Sequence, residues 1–131
     1  MTRLVASLLV TLVLAAGAAG TASAHAALRH AQPAAGEELT TAPTEIRIEF
    51  STGIQLDLAE MHLNDQSGAE LALTRPDNEA SEAETVVRLI PTALAPGTYK
   101  VRWRVLSIDG HWTRGDYSFV VVVRVPNQSL P

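Results

Sequence analysis

Tyr99-Lys100-Val101-Arg102-Trp103-Arg104-Val105 alternates large apolar and basic side chains without a break. Successive side chains of a strand point to opposite faces. This period of two therefore buries Tyr99, Val101, Trp103 and Val105 and leaves Lys100, Arg102 and Arg104 in water. Glu45-Ile46-Arg47-Ile48-Glu49-Phe50 repeats the pattern. Further strands are expected at Gln55–Leu63, Ala69–Thr74, Thr85–Ile90 and Tyr117–Val125. Breakers separate them at Pro33 to Gly36, Ala42-Pro43, Asp65 to Gly68, Arg75 to Ala80, Pro96-Gly97 and Asp109-Gly110. Six or seven short strands with no convincing helix predict an all-β fold, an immunoglobulin-like β-sandwich or Greek-key β-barrel. Leu94-Ala95-Pro96-Gly97-Thr98-Tyr99 sets a turn before a tyrosine that opens a long strand. That is the pattern of a tyrosine corner, in which the hydroxyl bonds back to upstream backbone.

The chain opens with Arg3, continues through an apolar run from Leu4 to about Ala19 and reaches the small residues Ala22-Ser23-Ala24. This is the layout of a secretory signal peptide over residues 1–24, with the mature domain at 25–131. The apolar run falls short of the roughly 20 residues a bilayer span needs, and no later segment is longer. The mature chain is thus expected to be exported, periplasmic or extracellular, and not membrane-spanning. It would hold 107 residues (131 minus 24), one domain with a modest core. Loss of Arg3 leaves 9 basic and 14 acidic side chains, a net charge near −5. Such a balance argues against nucleic acid, whose phosphates call for a basic face. There is no cysteine, which excludes disulfides and zinc-thiolate sites. Any metal site must be built from nitrogen, oxygen or thioether.

Cleavage after Ala24 would make His25 the first residue. Its free α-amine and its own imidazole can then close a chelate ring on one ion. With pKa values near 8 and 6.5, their protons yield to a metal at neutral pH and compete with it in acid. The second piece is Ser107-Ile108-Asp109-Gly110-His111, where the alternating strand ends. Residues two apart in extended backbone point the same way, so Asp109 and His111 can aim a carboxylate and an imidazole at one point. Gly110 lets the backbone bend between them. Asp-Gly is also common in plain turns, and both readings stand on these residues alone.

With the N-terminal histidine included, the sequence resembles the CopC family of periplasmic copper-binding proteins, small exported domains of immunoglobulin-like topology. The matching residues are His25-Ala26-Ala27-Leu28, Gln32-Pro33-Ala34-Ala35-Gly36, Ala42-Pro43 and Ile46-Arg47-Ile48-Glu49-Phe50-Ser51. They continue with Leu94 to Tyr99, Val101-Arg102-Trp103, Ser107 to His111 and Gly115-Asp116-Tyr117-Ser118-Phe119. The resemblance implies a Cu(II) site made by the His25 amine and imidazole, Asp109 and His111. Three nitrogens and one oxygen in a roughly square arrangement also suit Cu(II) better than tetrahedral Zn(II). A membrane copper importer of the CopD type is implied as a partner, and a monomer is the default. No enzymatic activity is expected.

Two departures from the family pattern stand out. Many members carry an acidic residue right after the Phe-Ser that closes the first main strand, whereas Phe50-Ser51 is followed here by Thr52. Some carry a methionine-rich loop for Cu(I), and this chain keeps only Met61 once Met1 is removed. His30 reads as a solvated or strand-edge residue. His62 and Met61, as neighbours in a strand, face opposite ways and cannot converge on one ion. Asp77, Glu79, Glu82 and Glu84 read as a solvated acidic loop. Two other functions compete with copper capture. A copper oxidative enzyme would use an N-terminal histidine, but Asp109 would fill a coordination position that oxygen chemistry needs open. An immunoglobulin-like adhesion or assembly module would need no metal, and its Asp-Gly-His would be only a turn.

Overall fold

The structure, a computed structural model, describes residues 26–123. Eight strands follow one another: β1 (Leu28–Gln32), β2 (Glu38–Leu39), β3 (Glu45–Gln55), β4 (Glu60–Asn64), β5 (Glu70–Leu71), β6 (Glu82–Leu89), β7 (Gly97–Leu106) and β8 (Trp112–Val121). They form two sheets, one of order β1-β3-β6 and one of order β2-β8-β7-β4-β5. Among the described residues only the β2–β8 pair is parallel. The expected all-β sandwich is thus observed.

The alternating segments behave as the period of two requires. Tyr99, Val101, Trp103 and Val105 are buried, while the residues between them are exposed. Ile46, Ile48 and Phe50 of β3 are fully buried and meet them from the facing sheet. Phe50 and Trp103 pack edge to face with ring centroids 5.0 Å apart, and Tyr99 stacks on Phe119 at 5.6 Å. Each such side chain contributes roughly 1.5–3 kcal/mol by leaving water. The tyrosine corner is present: the Tyr99 hydroxyl donates to the Ala95 carbonyl at 2.5 Å.

The expected strand at Gln55–Leu63 is broken. Gln55 ends β3, Leu56–Leu58 form a 3-10 turn and β4 starts at Glu60. The chain here leaves one sheet for the other, so the hydrogen-bond ladder must stop although Leu56 stays buried. Ala69–Thr74 shrinks for the same reason to β5 plus a single bridge from Thr74 to Leu89 of the opposite sheet. β1 went unpredicted because only Ala31 among its five residues is buried, which leaves no alternation to read.

β8 begins at Trp112, five residues ahead of the expected start at Tyr117, and runs straight through Gly115-Asp116. Gly115 serves packing there. A Cβ at this position would sit 2.5 Å from Trp103 Cζ2, so the glycine makes room for the indole. The acidic segment also needs correcting. Glu79 is nearly inaccessible and accepts from Arg88 at 2.7 Å and from Arg75 at 2.6 Å, while Arg75 also reaches Asp57 at 3.0 Å. A buried carboxylate has to be paired, and Arg88, itself buried, supplies the charge. Glu82 and Glu84 stand on β6, not in a loop.

Candidate metal centre

Strands β7 and β8 pair along their whole length, ending at Leu106 opposite Trp112. The five residues Ser107 to His111 close this hairpin. The Ser107 N–H donates to the His111 carbonyl at 3.0 Å and the Gly110 N–H to the Ser107 carbonyl at 2.9 Å. Gly110 has φ +89°, a left-handed conformation that strains any residue with a Cβ.

Ser107 is fully buried and organises the turn. Its hydroxyl donates to Asp109 Oδ1, and its oxygen accepts the His111 N–H at 3.3 Å. The His111 N–H lies 3.2 Å from Asp109 Oδ1, as does His111 Nδ1. These contacts all fall on one carboxylate oxygen. Hydrogen bonds to a charged carboxylate favour its ionised form, so Asp109 is held below the usual carboxylate pKa, first by the Ser107 hydroxyl and then by His111. The sequence argument that Asp109 and His111 serve one point therefore agrees with a direct contact between them.

The other end of the chain arrives beside this turn. Thr113 Oγ1, two residues beyond His111, donates to the Ala26 carbonyl at 3.1 Å. The Ala27 N–H donates to Ser51 Oγ at 2.9 Å, and the Ser51 N–H returns a bond to the Ala27 carbonyl at 2.8 Å. Ala26 itself is buried. Polar groups from β3 and β8 thus hold the residue next to His25. His25 itself lies outside the described residues. Ser51 and Thr113 escaped the sequence reading because their partners are 24 and 87 positions away. Thr113 gave the hint of a hydroxyl at an inward-facing place on β8, whereas Ser51 falls on the face of β3 opposite to Ile48 and Phe50.

The turn also meets the end of β3. The Ile108 N–H donates to the Gly53 carbonyl at 3.0 Å, and Ile54 bridges to Ser107. Both sheets therefore fix the loop that carries Asp109. Among the described residues no group of three or more His, Asp or Glu side chains gathers at one point, so Asp109 and His111 form a pair. His30 is exposed on β1. His62 Nδ1 lies 2.5 Å from Glu70 Oε1 across β4 and β5, while Met61 turns inward against the core. Both histidines stand on strands, His30 on β1 and His62 on β4, outside the 107–111 turn.

A model of the CopC domain matches residues 28–122. The chain belongs to the CopC family. Asp109 and His111 fall inside the CopC match and His25 lies ahead of it. Among curated proteins, the chain is 37% identical over 99 residues to protein YobA of Escherichia coli K12, covering 75% of this chain and 79% of that one. It is 34% identical over 105 residues to copper resistance protein C of Pseudomonas syringae pv. tomato, covering 76% and 82%. Among solved structures it is similar to PcoC, described as a methionine-rich copper resistance protein from E. coli. That likeness has a TM-score of 0.65 and 28% identity, and covers 76% of this chain and all of PcoC. This CopC-family chain has two methionines in all, in contrast to that description.

Proposed function

We propose that this chain is an exported copper-binding protein that captures Cu(II) as cargo and serves copper resistance, homeostasis or delivery. Membership of the family and the likeness to copper resistance proteins support the copper assignment. The observation that carries the site is the 107–111 turn, which joins Asp109 to His111 beside the pinned start of the domain. In this reading residues 1–24 are a signal peptide, and cleavage creates the His25 amine. That amine, the His25 imidazole and the His111 imidazole supply nitrogen donors, and Asp109 supplies oxygen.

The donor set suits the ion. Nitrogen-rich ligation with one carboxylate is favourable for Cu(II), and the absence of cysteine removes the soft thiolates that Cu(I) and Zn(II) prefer. Because Oδ1 of Asp109 is occupied by the turn, Oδ2 is the oxygen offered to the metal. The protein's work is to hold these groups in place, and no bond is made or broken. The site would form only after export, in the periplasm, from where a membrane importer of the CopD type could accept the ion. No described helix is long and apolar enough to cross a membrane.

A Cu(II) titration followed by electron paramagnetic resonance tests this, comparing protein that starts at His25 with the same chain carrying one extra N-terminal alanine. A tetragonal, nitrogen-rich signal complete at one equivalent, and altered by the alanine, is expected. Identical weak spectra from both would reduce the histidines to surface groups and leave a metal-free assembly module as the better reading.

A further inference from the structure

The outer face of β7 and β8 gathers the cations of an acidic chain. The chain is acidic overall, with 10 basic against 14 acidic side chains, yet Lys100, Arg102, Arg104 and Arg114 all project from this one face. Arg104 and Arg114 stand directly opposite each other in the register. Like charges so placed repel, and nothing in folding alone calls for the pair. Arg104 is offset by an exposed contact with Glu60 at 3.3 Å, which is worth little. No hydrogen bond or ion pair within the described residues neutralises Arg114, and Arg102 donates to the neutral Asn64 amide at 3.1 Å. Between them lies an open groove of about 510 Å³, lined among others by Glu60, Arg102, Arg104, Arg114 and Asp116. At its end the Arg104 guanidinium sits 3.8 Å over the ring of Trp112, which is 43% exposed.

We propose that this groove docks an acidic segment of a partner protein, with carboxylates bridging Arg102 and Arg114 and an apolar side chain resting on Trp112. Arginine and tryptophan are the residues that dominate protein interfaces, and both stand on this face. Arginine also pairs carboxylates through two parallel hydrogen bonds, which fixes orientation as well as charge. Glu60, Glu70 and Asp116 are interspersed among the cations. They would repel a uniformly anionic lipid surface and admit only a partner whose acidic groups fall in register. Docking needs no metal. Trp112 follows His111 directly, so a bound partner would lie at the mouth of the proposed copper site. That consequence alone rests on the copper reading.

The test is a nuclear magnetic resonance titration of copper-free protein, at low ionic strength, with an N-acetylated peptide of alternating glutamate and alanine. Phosphatidylglycerol vesicles serve as a parallel arm. Saturable shifts confined to the Arg102, Arg104 and Arg114 side chains and the Trp112 indole are expected, weakening steeply with salt. Arg102→Glu with Arg114→Glu should weaken peptide binding at least tenfold. Arg29→Glu with Arg47→Glu, on the other sheet, should leave it unchanged, and the dispersed spectrum of each variant reports that it folds. Absent or scattered shifts, equal binding by the groove variant, or binding to vesicles with the peptide silent would overturn the proposal.

Discussion

Two turns at opposite ends of the five-stranded sheet share one backbone design. Asp65-Gln66-Ser67-Gly68-Ala69 and Ser107-Ile108-Asp109-Gly110-His111 each close with an N–H of the first residue on the carbonyl of the fifth. In each the fourth residue's N–H bonds the first residue's carbonyl, and the fourth residue is a glycine with φ near +90°. Each also contains an aspartate and a serine joined by a hydrogen bond, but in exchanged places. Asp65 comes first and its Oδ1 accepts from the Ser67 N–H, the Ser67 hydroxyl and the Ala69 N–H. In the other turn Ser107 takes the inner, buried place and Asp109 stands at the tip. There too one oxygen, Oδ1, holds the turn, but the fifth residue brings an imidazole instead of a methyl group. The same fold element is a structural staple at one end and, in the proposed reading, a pair of metal ligands at the other. What separates them is the placing of the carboxylate, the histidine and the chain start that Thr113 holds nearby.

Exchanging the residues is the strongest way to break this comparison. Ser107→Asp with Asp109→Ser should keep a folded turn and lower Cu(II) affinity by more than the roughly 10- to 100-fold that an outer-shell change costs, read by calorimetric titration. Gly115→Ala comes next, because it disturbs the frame of the Ser107 to His111 turn and not that of the Asp65 turn. The added Cβ meets Trp103, so chemical denaturation should show a loss of about 1–3 kcal/mol with altered tryptophan fluorescence. Asp65→Ala should lower the melting temperature by less than Gly115→Ala does and leave Cu(II) affinity unchanged.

The smallest effect is on acid stability. Asp65 is held below its unfolded pKa of 3.8, chiefly by the Ser67 hydroxyl, and Asp109 likewise by Ser107. A lowered folded pKa adds stability above the unfolded value that is lost as pH falls through the folded one. Copper-free protein should therefore weaken below about pH 4, and Asp65→Asn and Asp109→Asn should each flatten that fall when melting is followed against pH.

Much of this contrast could be read in the sequence, for a physical reason. Strands that bury one face declare themselves by alternation, so β3 and β7 were plain. An Asp-Gly-His at the end of such a strand has few geometric options. Segments that cross between sheets keep their buried leucines while losing the ladder, so Gln55–Leu63 and Ala69–Thr74 were read as unbroken strands although each forms only part of one. The first half of β8 is missed, with a strand expected only from Tyr117, because the indole that Gly115 accommodates is on another strand. Glu79 looked solvated because its partner Arg88 arrives from β6. Ser51 and Thr113 remained hidden because hydroxyls that fasten one end of a chain to its far strands leave no local pattern.

The central claim is that copper enters at Asp109 and His111 with the freed N-terminus. It is tested most directly by thermal melting of protein starting at His25, with and without excess Cu(II), beside His111→Ala and Asp65→Ala. A ligand at about a thousandfold excess over its Kd stabilises the folded state by about 4 kcal/mol. The account predicts a clear rise in Tm for the unaltered protein and for Asp65→Ala, and loss of most of that rise in His111→Ala. An equal rise in all three would place the copper elsewhere and contradict it.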